Sequence, residues 1–230
     1  MHRSARRHCK LFFRTYLKDV KRPTIVEIGS QSVNGSLRDV APPDSRYVGL
    51  DFVPGEGVDL VLDDPYRFRI EDDFADAVVS SSCLEHSQMF WLTFLEALRI
   101  LKPEGVLYLN VPSNGPFHRH PTDNWRFYPD AGAALNEWAH RSGYDSVLLE
   151  SFVGWQDGDV WNDFVAVFAK TRSAAVRYPD RIHPKALNPT NVIVDGNDEP
   201  INYVQQPQDR RRLNYLTERF FGLRKKLDEV

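Results

Sequence analysis

Residues 26–39, VEIGSQSVNGSLRD, constrain the fold of this chain more than any other stretch. A β-branched run, Thr24, Ile25 and Val26, enters an acid at Glu27 and turns at Gly29. It meets a second glycine at Gly35 before a short helical pattern that Pro42 and Pro43 stop. The spacing predicts a strand, a loop and a helix start. In an open α/β sheet, ligands bind outside the carboxyl ends of the strands, so this loop is the expected binding site.

The following residues supply the rest of such a sheet. A second strand is expected from Tyr47 to Asp51, closing on an acid, and a third from Val58 to Leu62. Little more than VPGEG separates them, whereas parallel neighbours need a crossover of about a dozen residues, so the third is expected to be a short or irregular edge. Ala75 to Ser80 has the unbroken apolar character of a buried central strand. Trp91, Phe94, Leu95, Leu98 and Leu101 then recur at helical spacing, and Lys102, Pro103 and Gly105 form a stop signal before a fifth strand, Val106 to Val111.

Residues 112–128 have no period but are dense in aromatic and histidine side chains. A helix is expected to open at Pro129 or Asp130, bury Ala134, Leu135 and Trp138, and stop at Gly143. Two last β runs, Ser146 to Phe152 and Asp163 to Ala169, flank WQDGDVWN, which has the character of a hairpin loop. The expected fold is α/β: a doubly wound, mostly parallel, seven-stranded sheet ending in an antiparallel hairpin.

Three segments follow from this pattern: an N-terminal helix within residues 1–22, a central domain over 23–172, and a C-terminal extension over 173–230. In the extension, NVIVDGNDEPINYV is expected to form a small hairpin turning at Asp195 and Gly196. Leu213, Leu216, Phe220, Leu223 and Leu227 fall on one side of a terminal helix, which is expected to pack on its own domain or across a homodimer, with docking on a partner or a membrane surface as the alternative.

With 230 residues, 42% of them hydrophobic, one sizeable core plus an appendage is within reach. The net charge of −3 gives no general attraction to nucleic acid or anionic membrane. Cys9 and Cys83 form neither a disulfide framework nor a zinc pattern, which suits a reducing cytosol. The early apolar run LFF is broken at Arg14, and nowhere do roughly 18 apolar residues follow one another. A cytoplasmic location is expected, with no export signal, no membrane span and no nucleic-acid partner.

A dinucleotide loop requires GxGxxG, because three glycines let a pyrophosphate approach backbone N–H groups. Here Gln31 and Val33 stand two and four positions after Gly29, and the triple glycine is absent. Glu27 is a poor neighbour for pyrophosphate and a good one for an ammonium or sulfonium, so a cationic nucleoside is expected.

Taken together, VEIGSQSVNGS, YVGLD, VDLVLDD, FADAVVSSSCLEH, LKPEGVLYLNVPS and WRFYPDA resemble the class I S-adenosylmethionine-dependent methyltransferases. The likeness spans roughly Thr24 to Lys170 and is nearest to a bacterial subgroup whose first motif has the form GSxxVNGS. It implies S-adenosylmethionine as cofactor, with Glu27 and Gly29 at its methionine part and Asp51 at the ribose hydroxyls. Asp63 or Asp64 would stand near the adenine amino group, and Ser82 and Cys83 below the reacting centre. Ser30, Asn34, Gly35 and Phe52 are further expected cofactor contacts. For Asp63 and Asp64 an ordinary strand-end turn is the competing reading. Gln31, Val33 and the missing helix between the second and third strands depart from the family pattern.

Methyl transfer needs alignment above all, and a base only where the acceptor is a poorly acidic hydroxyl. His86, His118 and His120 are the candidate catalytic residues, with helix capping or packing as the alternative for His86. HxHxxD, His118 to Asp123, is read as a hydrogen-bonding loop, and no metal is expected. Asp123, Trp125, Arg126 and Tyr128 are the candidate acceptor contacts, because aromatic rings beside polar groups suit a sugar; loop anchoring is the alternative for Trp125 and Tyr128. The expected activity is methyl transfer to a small-molecule or glycan-linked acceptor at oxygen. The alternatives are a non-catalytic scaffold with the same fold, or a nucleic-acid methyltransferase using Arg3, Arg6, Arg7 and Arg210 to Arg212.

Overall fold

The computed structural model describes residues 2–197 and 199–228, and side chains as far as residue 222 in the last helix. Helix α1, Arg3–Tyr16, leads into β1, Thr24–Ile28. A 3-10 turn, Leu37–Val40, precedes β2, Arg46–Asp51, and β3, Leu60–Val61. Then come β4, Ala75–Ser81, α2, Phe90–Ile100, and β5, Leu101–Pro112. Helix α3, Ala131–Arg141, is followed by β6, Val147–Val153, and β7, Asp163–Ala169. A single helical turn, α4, Arg172–Ala175, strand β8, Thr190–Val194, and α5, Gln208–Asp228, complete the order.

The sheet runs β3-β2-β1-β4-β5-β7-β6-β8. β3 to β5 pair parallel, while β7, β6 and β8 pair antiparallel with their neighbours. The sheet therefore has eight strands and not seven. The additional one, β8, comes from the extension, and it lies beside β6 with Ser151 opposite Ile193.

Period-2 alternation splits the core between the two sheet faces. Val106 and Tyr108 of β5 join Cys9, Phe12 and Tyr16 of α1 on one face, while Leu107 and Leu109 join Phe94 and Leu98 of α2 on the other. Ala5, His8, Cys9, Phe12, Phe13 and Tyr16 lie on one stripe of α1, which falls within the expected residues 1–22.

Three other expectations are corrected. β3 shrinks to two residues, because no crossover element separates it from β2. β5 opens at Leu101, directly after α2, and not at Val106, with a register shift where Leu101 faces Ala75. Helix α3 buries Gly132, Leu135 and Ala139, whereas Ala134 is exposed and Trp138 is 38% exposed. The helix phase follows from close approach: a Cβ at Gly132 would stand 3.1 Å from Leu148 and 3.3 Å from Ser151 of β6.

The extension is tied down by one buried carboxylate. Glu150 of β6 accepts hydrogen bonds from Tyr16 Oη (2.6 Å), Ile182 N (2.7 Å) and His183 N (3.0 Å), with His183 Nδ1 at 2.8 Å. At the start of α5, Gln208 is buried and accepts from Gln156 N at 3.0 Å. Further along, Leu213, Leu216 and Phe220 are mostly exposed, so the described part of the expected apolar side does not pack on its own domain. The side chains of Leu223 and Leu227 lie outside the described residues.

Candidate active site

The carboxyl ends of the parallel strands meet at the loop after β1. Gly29 has φ +77°, and a Cβ there would stand 2.6 Å from both Cβ and Sγ of Cys83, so the residue must lack a side chain for steric as well as conformational reasons. The N–H groups of Gly29 and Ser30 both donate to Leu50 O, at 2.9 and 3.0 Å. Ser30 is buried against Gly49, where a Cβ would come within 2.6 Å of Ser30 Oγ. Beneath the loop, Glu27 accepts from Tyr47 Oη at 2.8 Å and lies 3.5 Å from Ser36 Oγ. Burial pushes its carboxyl up to about 7, against the lowering effect of these hydrogen bonds and of Arg38. Glu27 thus braces residues 29–36 from inside. Asn34 and Gly35, φ +103°, lie on the outer part of the same turn.

Asp51, at the end of β2, is bound to this loop. Its Oδ2 accepts from Gln31 N at 3.1 Å, and its Oδ1 from Phe52 N at 2.8 Å and Val53 N at 3.3 Å. Gln31 therefore supplies through its backbone what a glycine would, and its side chain is accommodated by Gly55, whose Cβ would meet Gln31 Nε2 at 2.7 Å. Phe52 is half exposed beside this carboxylate. Ser82, φ +51°, and Cys83 close the site from the end of β4, and burial pushes the Cys83 thiol up to about 12. Asp63 and Asp64 face solvent. Asp63 pairs with Arg69, and Asp64 caps a turn by accepting from Tyr66 N at 2.8 Å.

Beyond β4 and β5 the structure gathers the three histidines. The rings of His86 and His118 lie 4.9 Å apart, with His120 about 6 Å from each at 6.0 and 6.1 Å. His86 Nδ1 is 2.5 Å from Thr122 O, an atom that only accepts, so Nδ1 carries the hydrogen and Nε2 keeps its lone pair. Burial lowers the His86 pKa, favouring the neutral ring. The loop is fastened to the CLEHS segment by Asn124 N to Glu85 O (2.8 Å), Thr122 Oγ1 to His86 O (3.0 Å) and Trp125 Nε1 to Ser87 O (2.9 Å).

Of the candidate acceptor contacts, Asp123 and Trp125 are engaged within this loop. Asp123 takes both terminal nitrogens of Arg126 at 2.6 and 2.8 Å and His118 N at 2.7 Å, which holds its carboxyl well below the usual range. Trp125 packs on Phe90 and Trp91. Tyr128 and the same Arg126, though engaged with Asp123, line a cavity of about 220 Å³ together with Asn114, Trp155, Asn162 and Arg211. Arg211 comes from α5, so the extension walls this half of the edge.

Sequence reasoning missed Asn114, Trp155 and above all Glu85, and it named Arg211 only as a candidate nucleic-acid contact. The acid of CLEH is 1% exposed, and burial pushes its carboxyl up to about 8. Its place two residues past Cys83, at the end of β4, was the available signal.

A family model described as "Methyltransferase domain" matches residues 29–109, from the Gly29 turn into β5. Among solved structures, the chain resembles the 1,6-didemethyltoxoflavin-N1-methyltransferase of Burkholderia thailandensis, with 13% identity and TM-score 0.55 over 73% of this chain and 79% of that one. It also resembles the [4+2]-cyclase SpnF, with 14% identity and TM-score 0.52 over 72% and 86%. A third structure, of a Pyrococcus horikoshii protein, shares 15% identity and TM-score 0.50 over 74% and 91%. No curated protein sequence matches the chain. Over residues 29–109 the chain is thus similar to a methyltransferase domain, and its sheet has the Rossmann-like form of the methyltransferase fold.

Proposed function

We propose that the protein is an S-adenosylmethionine-dependent methyltransferase of class I, acting at oxygen on a small or glycan-linked acceptor. The observation that carries the reading is the cradle after β1: a side-chain-free Gly29 against Cys83, joined through Gln31 N–H to the Asp51 carboxylate. The solved structure of the Burkholderia thailandensis methyltransferase, which holds bound S-adenosylhomocysteine, supports the same cofactor class. The cyclase among the similar folds is the reason the site and not the fold carries the argument.

When bound, S-adenosylmethionine supplies a methyl carbon activated by positive sulfur. Asp51, its plane fixed by three backbone N–H groups, would hold a ribose hydroxyl with its remaining acceptor capacity. Glu27 braces the loop and becomes charged where a cation stands nearby. Gly29, Ser30 and Cys83 would form the floor, and Ser82 lines a small cavity beside it with Glu85 and His118. His86 Nε2, neutral and with its lone pair free, is the base best placed by its hydrogen bonding to take an acceptor proton.

For the acceptor, the cavity beside Arg126, Tyr128 and Trp155 combines rings with polar side chains, among them Arg211 over the Trp155 ring. Its size, about 220 Å³, falls below the roughly 300–1,000 Å³ of sites that enclose a drug-sized ligand. That suits one sugar-sized unit of a larger molecule. Calorimetry with S-adenosylhomocysteine tests the cofactor reading, which fails if the pure protein does not bind it. Transfer of labelled methyl groups to a panel of glycans and small hydroxylated compounds tests the acceptor reading, which fails if only nitrogen acceptors or nucleic acids are labelled.

A further inference from the structure

We infer that Glu85, His86 and His118 form a binding site for a divalent metal ion of zinc's class at the end of β4. One potential ligand atom from each lies within 4.8 Å of the others, and His86 Nε2 is 3.7 Å from Glu85 Oε1. Two imidazoles and one carboxylate are a common donor set for zinc and its first-row neighbours when coordination positions are left open for substrate. HxHxxD is not the pattern that builds it, because Arg126 occupies Asp123 on both oxygens.

Both imidazoles are oriented as ligands are. His86 donates Nδ1–H to Thr122 O, which turns Nε2 toward Glu85. His118 Nδ1 stands 3.3 Å from Asp123 Oδ2, leaving Nε2 as its donor atom. A backbone carbonyl or carboxylate behind the ring is the usual outer support of a metal-binding histidine.

A second observation points to a cation independently. Glu85 and Asp163 line one small cavity of about 30 Å³ with Ser82 and His118, and both are almost fully buried. Glu85 Oε2 and Asp163 Oδ2 are each without a hydrogen-bond partner among the described residues; His8 Nδ1, 3.3 Å from Asp163 Oδ2, makes no hydrogen bond with it. Two orphaned carboxyl oxygens on a cavity with room for little more than one ion and a water lack a reason in hydrogen bonding alone. Tetrahedral bonds of about 2.0–2.2 Å put ligand atoms about 3.4 Å apart. The Glu85–His86 pair is nearly there, and His118, whose side chain is 29% exposed, has room to turn inward.

The ion's role rests on the methyltransferase reading, although the site itself does not. With Nε2 of His86 on the ion, the ion would replace that ring as the activating group: an acceptor hydroxyl taking an open position would be acidified and lose its proton to solvent. Its oxygen then bonds to the methyl carbon of the sulfonium while the carbon–sulfur electron pair stays on sulfur.

The test uses the full chain after chelator treatment, titrated with Zn²⁺ alone and with Co²⁺ followed by visible absorption. The expected result is one ion per chain with the absorption bands of low-coordinate Co²⁺, and binding weaker by on the order of a hundredfold in both Glu85→Gln and His118→Ala. His118→Ala, on the irregular loop, keeps the test open if Glu85→Gln does not fold. No stoichiometric binding of either ion, or binding that both variants retain, overturns the proposal. Calorimetry of S-adenosylhomocysteine on the same chelated protein reads the cofactor site separately, so the failure of one reading is distinguishable from that of the other.

Discussion

Gly29→Ala is the most discriminating perturbation of the cradle, because two independent costs can be worked out from its geometry. The new Cβ would stand 2.6 Å from Cβ and Sγ of Cys83, at a residue whose φ is +77°. Left-handed backbone costs an L-residue about 1–2 kcal/mol. Overpacking by a methyl group costs a further 1–3 kcal/mol or so. The expected loss is thus about 2–5 kcal/mol, a large fraction of the roughly 5–15 kcal/mol that holds a domain folded. The assay is urea unfolding of wild type, Gly29→Ala, Cys83→Gly and the double variant, with S-adenosylhomocysteine affinity measured on each. In the double variant the overlap term disappears and the backbone term stays, so the two changes should be non-additive by about 1–3 kcal/mol. Full additivity, or a loss below about 0.5 kcal/mol in Gly29→Ala with unchanged ligand affinity, would refute the close-approach account.

On the proposed role of Asp51, Asp51→Ala would remove a charge-assisted hydrogen bond to ribose worth about 1.5–3 kcal/mol, so calorimetry should show S-adenosylhomocysteine binding roughly ten- to a hundredfold weaker. Glu27 has its folded pKa raised from 4.5 to about 7, so its protonated form is favoured by folding; its contribution to stability is complete below pH 4.5 and is lost as pH rises through 7. Glu27→Gln should flatten that decline, by up to about 3 kcal/mol between pH 5 and 8 in denaturant titrations, and an unchanged slope counts against the burial of Glu27. Glu150→Ala strands Tyr16 Oη and the N–H groups of Ile182 and His183, at an expected cost of about 3–5 kcal/mol. Hydrogen exchange should then rise in residues 178–194 before it rises in β1 and β4.

The sequence is a good guide where local pattern and tertiary demand coincide. β1 and β7 have the expected bounds, because β-branched or alternating runs are closed by an acid or a turn on both sides. β5 is misjudged because LKPEG looks like a helix stop. Its Pro103 in fact occupies a strand at a register shift, a place where a missing N–H is tolerated. The phase of α3 is set by the surface of β6 against Gly132, which no period in residues 130–143 records.

The site divides in the same way. Glu27, Gly29 and Asp51 stand at strand ends that periodicity locates, and the structure brings all three to one loop. Glu85 escapes such reasoning because its significance is its burial, a property of what packs around it. Asp123 shows the reverse, a carboxylate conspicuous in sequence that Arg126 consumes. The cavity beside Arg126 is hidden for a third reason: Asn114, Trp155 and Arg211 come from three segments far apart along the chain.

The contact between Gly29 and Cys83 also turns the sulfur into a reporter. Cys9 is fully buried with its thiol pushed well above the ordinary range, and Cys83 is held near 12, so at neutral pH neither offers much thiolate to a reagent. Any adduct on Cys83 would need the volume that the Gly29 backbone occupies. The rate at which a chromogenic disulfide labels Cys83 therefore clocks how often the loop after β1 lifts away from β4, and a ligand that clamps this loop should slow the clock in proportion to its occupancy.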